Sequence, residues 1–245
     1  MQQHDVSRPI LDASPRQQLA AAFRWMARLD MHEATANHCS LALDERRFLI
    51  NPLGHHFSEL RASDLLEVDR HGQAPADIDP TAWAIHGAMH RQGEHIGCIL
   101  HSHAPYATAL SCLESPHLPP VEQNSMRFFE RLYVDQGFDG MGLADEAERL
   151  GGLANRASVL LLGNHGVVTT GADVAEAFDR LYYFERACRT YLIARGSGLP
   201  LKPVSDTVAR KTAAQWDDYM AEGAAQQHFA ALLRILDRDA PDYRH

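Results

Sequence analysis

Two short apolar runs, each leading into histidine, constrain this 245-residue chain more than any other feature. Residues 96–100 (Ile-Gly-Cys-Ile-Leu) run into His101-Ser102-His103, and residues 159–162 (Val-Leu-Leu-Leu) run into Gly163-Asn164-His165-Gly166. Apolar runs of this length without polar alternation read as buried strands, in a sheet flanked by helices. On a strand, residues two apart share a face, so His101 and His103 aim one way and Ser102 the other. Three imidazoles delivered by two strand ends suit a divalent metal with a coordination position left open. A purely structural zinc would want a fourth protein ligand, usually cysteine, and none lies at a suitable spacing.

The flanking segments supply the covering helices. Leu19, Ala22, Phe23, Met26 and Leu29 recur at helical spacing, with Ser14 as cap and Pro15 in the first position. Short strands are expected at 40–43 and 47–50 around an Asp44-Glu45 turn, and another at 65–68. Asp79-Pro80-Thr81 opens a helix to about residue 91 that carries His86 and His90 four apart. A strand at 96–101 leads to a helix from Pro105 through 110, and a short helix is expected at 145–150. The clearest helix bears Val174, Ala177, Phe178, Leu181, Phe184, Cys188, Tyr191 and Leu192 on one stripe and stops at Gly196-Ser197-Gly198. Residues 15–200 read as one α/β domain whose sheet is mixed or partly antiparallel, after a loose polar arm at 1–14. Residues 201–245 read as a helical tail, with Trp216, Phe229, Leu232, Leu233 and Leu236 packing on the domain or on a neighbouring subunit.

Net charge is −9 with no Lys/Arg cluster, which argues against nucleic acid or an anionic membrane as partner. No apolar run approaches the roughly 20 residues that span a bilayer. The first 14 residues lack the apolar core of a secretory signal. Cys39, Cys98, Cys112 and Cys188 are scattered and read as reduced thiols of a cytoplasmic protein.

His101-Ser102-His103-Ala104-Pro105, Asn164-His165-Gly166-Val167-Val168 and Ile50-Asn51-Pro52-Leu53-Gly54 resemble the class II aldolase/adducin family, over about residues 19–198. The resemblance implies a three-layer α/β/α domain with a central, largely antiparallel mixed sheet. It implies one divalent metal ion held by His101, His103 and His165, zinc foremost, with iron, manganese or cobalt as alternatives. It also implies a small-molecule substrate and a homo-oligomer, a tetramer by preference, with sites near subunit interfaces. Sugar-phosphate aldolases of the family carry Ser-Ser-Glu ahead of the His pair, the Glu acting as metal ligand and proton shuttle. This chain reads Pro80-Thr81-Ala82 there, and the family's Thr-Pro-Ser-Gly becomes Asn51-Pro52-Leu53-Gly54. A phosphorylated sugar is therefore disfavoured. The chain looks closer to the adducin-like bacterial branch that lacks this Glu, which the block from Glu122 to Phe129 also resembles. Some relatives there are described as decarboxylases or iron-dependent oxygenases, and adducin itself is a scaffold.

Without the carboxylate, retro-aldol cleavage needs a substitute base. His86, one helical turn beyond Ala82, and Glu122, placed near a strand end after Pro119-Pro120, are the candidates. Asn37, Asn51, Gly54, Thr81, Gln123 and Asn124 are candidates to hold substrate. Decarboxylation demands less, since loss of CO2 leaves a carbanion that needs only a proton. The expectation is a metal-dependent lyase, decarboxylase or aldolase in type, for a small chelating oxo or hydroxy carboxylate or carbonyl compound. The alternatives are an iron-dependent oxygenase or oxidative decarboxylase of a 2-oxo acid, and a non-catalytic adducin-like interaction protein.

Overall fold

Strand β4 (Cys98–Ser102) is buried at every position, and its side chains alternate between two separate cores. Cys98 and Leu100 face one core; Ile99 faces the other. The computed structural model of the chain describes residues 11–93, 95–140 and 145–245. Around β4 stand β1 (His38–Ala42), β2 (Arg47–Ile50), β3 (Leu66–Asp69), β5 (Leu132–Asp135), β6 (Val159–Leu162) and β7 (Gly166–Gly171). They form one seven-stranded sheet in the order β3-β2-β1-β4-β7-β6-β5. Every neighbouring pair is antiparallel except β5 and β6.

One face carries α1 (Pro15–Arg28), α3 (Pro105–Ser111), α6 (Val174–Gly196) and α8 (Ala224–Asp239). The other carries α2 (Pro80–Gln92) and α5 (Asp145–Gly151), whose Ile85, Met89, Ala147 and Leu150 pack on Ile99, Leu160, Leu162 and Val168. This is the three-layer α/β/α arrangement with a largely antiparallel mixed sheet. Side-chain caps start several of the helices. Ser14 and Gln17 form a capping box on α1, Asp79 caps α2, and Asp173 accepts from the Glu176 amide to cap α6. The carboxylate of Glu185 on α6 accepts from the amides of Tyr106 and Ala107 (2.9 and 2.8 Å), docking the first turn of α3.

The tail folds back over this layer. In α7 (Asp206–Ala221), the Trp216 indole donates to the Gln123 carbonyl (3.0 Å) of the short helix α4 (Gln123–Arg127). Phe229, Leu233 and Leu236 of α8 join the core beneath α6, and the final turn, Pro241–Arg244, buries Tyr243 against it. Of the expected arm, residues 1–10 lie outside the described residues; Leu11 and Ala13 pack partly buried on the core.

Three differences from the sequence reading matter for the site. Strand β1 begins two residues earlier than expected and so takes His38 into the sheet. Strands β5 and β7 were not anticipated, β7 because its Gly-Val-Val-Thr-Thr-Gly run hides a fully buried strand between turn-forming residues. Glu122, expected near a strand end, is instead the N-cap of α4.

Candidate metal centre

His101 lies in β4, His103 just beyond it, and His165 in the three-residue turn joining β6 to β7. The pairing of Ser102 with Val167 across β4 and β7 sets that turn beside the end of β4. Ring nitrogens of the three histidines all lie within 4.8 Å of one another. Ring centroids are 5.1 Å apart for His101–His103, 4.8 Å for His101–His165 and 5.1 Å for His103–His165. Ser102 points to the opposite face and donates to the Met31 carbonyl at 2.7 Å.

One ring and the backbone beside the other two are held by hydrogen bonds. His101 Nδ1 lies 3.2 Å from the Val167 carbonyl, which can only accept, so Nδ1 is assigned the proton and Nε2 keeps its lone pair. The His103 amide donates to Asn37 Oδ1 at 3.2 Å, and the Asn164 amide donates to the Ser111 carbonyl at 3.1 Å. Asn164 sits at φ 56°, a left-handed value that asparagine tolerates. Gly166 is required for proximity: a Cβ there would lie 2.6 Å from the Ser102 carbonyl oxygen and 2.9 Å from His103 Cδ2.

Burial pushes all three imidazoles toward the neutral form, His165 down to about 4. Neighbouring imidazoles add to this for His101 and His165, while Glu33 opposes it at His103 and Glu146 at His165. Neutral imidazoles, one tautomer fixed by a carbonyl and three ring nitrogens gathered at one point make a donor set that fits a divalent transition metal. Phe138, 47% exposed with its ring 6.0 Å from that of His165, stands at the rim.

A fourth imidazole escaped the sequence reading. His38 pairs with His101 across β1 and β4, and the two ring centroids lie 4.8 Å apart with the planes tilted by 37°. His38 Nδ1 lies 2.7 Å from Nε2 of His86, so His86 reaches the site through His38 and not by touching the triad. Only the sheet register brings His38 to His101; a lone histidine outside any His-x-His spacing gives no local signal.

The remaining candidates fall into two groups. Asn37 and Asn51 lie by the triad's backbone: Asn51 accepts from the Cys39 amide (3.1 Å) and donates to the Asn37 carbonyl (3.3 Å). Asn37 Nδ2 is buried without a hydrogen-bond partner among the described residues. Thr81 opens α2, its amide donating to Asp79 Oδ1 at 2.8 Å, and Asp79 is close enough to His38 for their charges to interact. Ala82 is buried among Phe48, Ile50 and Ile78. Gly54 turns at φ +79° with open space around it. Glu122, Gln123 and Asn124 are not brought to the triad. Both Glu122 carboxylate oxygens accept amides of α4, from Asn124 (2.8 Å) and Ser125 (2.7 Å). Gln123 and Asn124 face Tyr183, Trp216 and Tyr219.

The chain is similar to several known proteins. An aldolase II superfamily protein from Pseudomonas syringae, of known crystal structure, superposes with a TM-score of 0.86 at 32% identity, covering 94% of this chain and 95% of its own. Decarboxylase NovR of Streptomyces niveus is 30% identical over 228 residues, 89% of this chain and 84% of that protein. A protein of Streptomyces roseochromogenus subsp. oscitans, named 4-hydroxy-3-prenylphenylpyruvate oxygenase/4-hydroxy-3-prenylbenzoate synthase, is 30% identical over 89% of this chain and 82% of its own length. The profile of the Class II Aldolase and Adducin N-terminal domain matches residues 17–192, most of the sheet and its helices. The chain therefore belongs to the class II aldolase/adducin family.

Proposed function

We propose that the protein is a divalent-metal-dependent lyase, of decarboxylase or aldolase type, acting on a small oxo or hydroxy carboxylate or carbonyl compound that chelates the metal. The observation that carries this reading is the gathering of His101, His103 and His165 ring nitrogens within 4.8 Å. The similarity to NovR supports the lyase class. Zinc is the ion we favour, with iron, manganese and cobalt suited to the same donors. When bound, such an ion supplies Lewis acidity, drawing electron density from a carbonyl or carboxylate oxygen of the substrate.

The chain's own residues favour decarboxylation over aldol cleavage. Aldol cleavage needs a base for the hydroxyl proton, whereas loss of CO2 needs only a proton donor afterwards. Ala82 offers no carboxylate, and Asp79 Oδ1 is occupied by the amides of Thr81 and Ala82. His38, its ring tilted against that of His101 at 4.8 Å, is the imidazole we take to supply that proton, with His86 acting through it. Asn37, Asn51, Gly54 and Thr81 are the residues we propose to hold substrate. Glu122, Gln123 and Asn124 would meet substrate only in a homo-oligomer, of which the tetramer is the form we favour, at a neighbour's site. Neither nucleic acid nor membrane is a proposed partner; among the described residues no helix is long and apolar enough to cross a membrane. The free thiols at Cys39, Cys98, Cys112 and Cys188 support a cytoplasmic setting.

The test is metal analysis of protein purified without a histidine tag, with CO2 release measured from a panel of 2-oxo and aromatic hydroxy acids. The reading expects one equivalent of divalent ion per chain, and a His103→Ala variant that keeps its fold and loses both metal and turnover. A chain that holds no divalent ion, and whose Tm does not rise on adding zinc, iron, manganese or cobalt, overturns it. The oxygenase relative favours a second reading, an iron-dependent oxygenase of a 2-oxo acid. It separates cleanly, since it alone consumes O2. An adducin-like scaffold would keep its oligomer and partners when His103 is lost.

A further inference from the structure

A gathering of arginines lies at the far end of β6 from His165. Arg127 closes α4, Arg131 leads into β5, Arg156 and Ser158 lead into β6, and Arg180 stands on the second turn of α6. The parallel pairing of Leu132 with Val159 sets the starts of β5 and β6 side by side, which brings Arg131 and Ser158 to neighbouring strand ends. All five residues line one cavity of about 670 Å3, with Trp216 of α7 among its walls. That volume is within the range of sites for small metabolites. Four guanidiniums in one lining run against the composition of a chain whose net charge is −9.

Carboxylates offset part of this charge. Asp179 pairs with Arg127 at 2.7 Å, Asp217 pairs with Arg131, and Glu176 reaches Arg180 at 3.4 Å. Glu130 also lines the cavity, but both its oxygens accept from Arg210, which does not line it (3.0 and 2.6 Å). Arg127 and Arg180 lie close enough for their charges to repel. Burial does most to disfavour the charge on Arg180, Glu176 supports it and Arg127 opposes it, so its pKa is held below the ordinary arginine value. Two like charges partly withdrawn from water are a costly arrangement that an anion between them turns into an attractive one. The planar fork of a guanidinium matches the paired oxygens of phosphate and carboxylate groups.

We propose that this cavity binds a small, multiply charged oxyanion, a phosphate ester or a polycarboxylate, at a site separate from the histidine triad. Arg131 and Arg156 are exposed and free to turn their guanidiniums onto the ligand. Arg127 and Arg180 are held by Asp179 and by the Thr170 carbonyl, and supply fixed positive charge. The Ser158 hydroxyl adds a neutral donor. The site does not depend on the reading of the triad, because the four residues of β6 lie between the cavity at Val159 and the turn that carries His165.

Isothermal titration of the full-length protein with sodium pyrophosphate and with citrate, at one fixed ionic strength, tests the site. The parent and His103→Ala are both titrated, because either anion can also chelate a metal at the triad. The expected result is one saturable site per chain that persists in His103→Ala. If that variant fails to fold, the parent stripped of metal by dialysis against a chelator takes its place. In either background Arg156→Ala and Arg131→Ala, both at exposed positions, are each expected to weaken binding by about tenfold or more. Arg46→Ala, an exposed arginine of the β1–β2 turn, is expected to leave the affinity within about threefold. Tighter binding of pyrophosphate identifies a phosphate-ester site and tighter binding of citrate a polycarboxylate site; either order upholds the proposal. Failure of both anions to bind once the triad is disabled overturns it, as does an affinity unchanged in both Arg156→Ala and Arg131→Ala.

Discussion

Gly166 and Asn37 show how little freedom single residues around the triad have. A methyl group on Gly166 would press on the Ser102 carbonyl and the His103 ring at once, at 2.6 and 2.9 Å, and one of those is backbone. Gly166→Ala is expected to weaken metal binding by about 10–100-fold, the range seen when groups that orient ligands are disturbed. Competition with a chromophoric chelator measures this, and an unchanged affinity would mean that the turn shifts without moving His103. Asn37 Oδ1 accepts two backbone amides, from Glu33 at 2.7 Å and His103 at 3.2 Å. Asn37→Ala orphans both and is expected to cost about 1–3 kcal/mol in urea unfolding, alongside weaker metal binding. Leu53→Ala, at a half-exposed position, serves as the near-neutral control. The triad could be read from the sequence because strand alternation puts His101 and His103 on one face and a glycine-bounded turn marks His165. His38 could not, because its place beside His101 depends on a pairing register between β1 and β4 that no local pattern encodes.

At the level of elements, α2 meets β1 through imidazoles and a hydroxyl where an apolar contact would be usual, and that makes the contact sensitive to acid. The folded chain holds His86 and His90 neutral down to about pH 3, whereas the unfolded chain binds protons at both below the ordinary histidine value of 6.5. Their contribution to stability is complete above about pH 6.5 and is lost as pH falls toward 3, by up to about 1.4 kcal/mol per pH unit for each group. Urea midpoints taken between pH 7.5 and 4 are expected to fall steeply, and His90→Gln should make the slope shallower. An equal slope in that variant would show that His90 is not neutral in the folded chain. Elements with a strong period, such as α6, or with a cap and proline, such as α2, are found from sequence within a residue or two. Those that failed lack either cue. The four-residue edge strand β5 is only partly buried except at Asp135, and β7 begins and ends in glycine. The α4 cap is a glutamate, which reads more readily as a functional acid than as a structural one.

Considered as a whole molecule, the helical tail is part of the same core as the domain that carries the histidine triad. Phe178, Leu181 and Phe184 of α6 are fully buried together with Phe229, Leu233 and Leu236 of α8, and Tyr243 of the last turn is closed in with them. Polar ties hold the same join: Arg24 of α1 pairs with Asp242 at 2.7 Å, and Gln226 donates to Asp173, the α6 cap, at 2.9 Å. The shared core therefore runs across the boundary near residue 200 that the glycine stop after α6 suggests. A chain cut there would leave the outer face of α6 in water, an apolar patch of the kind that drives aggregation. Leu236→Ala is expected to cost about 2–5 kcal/mol in the full-length chain, the range for a fully buried leucine. If the core is shared, that loss should appear as one cooperative shift of the whole unfolding curve, with metal release moving in step. Two separated transitions, with the metal held through the first, would instead show the tail to be a separate layer that the domain can shed.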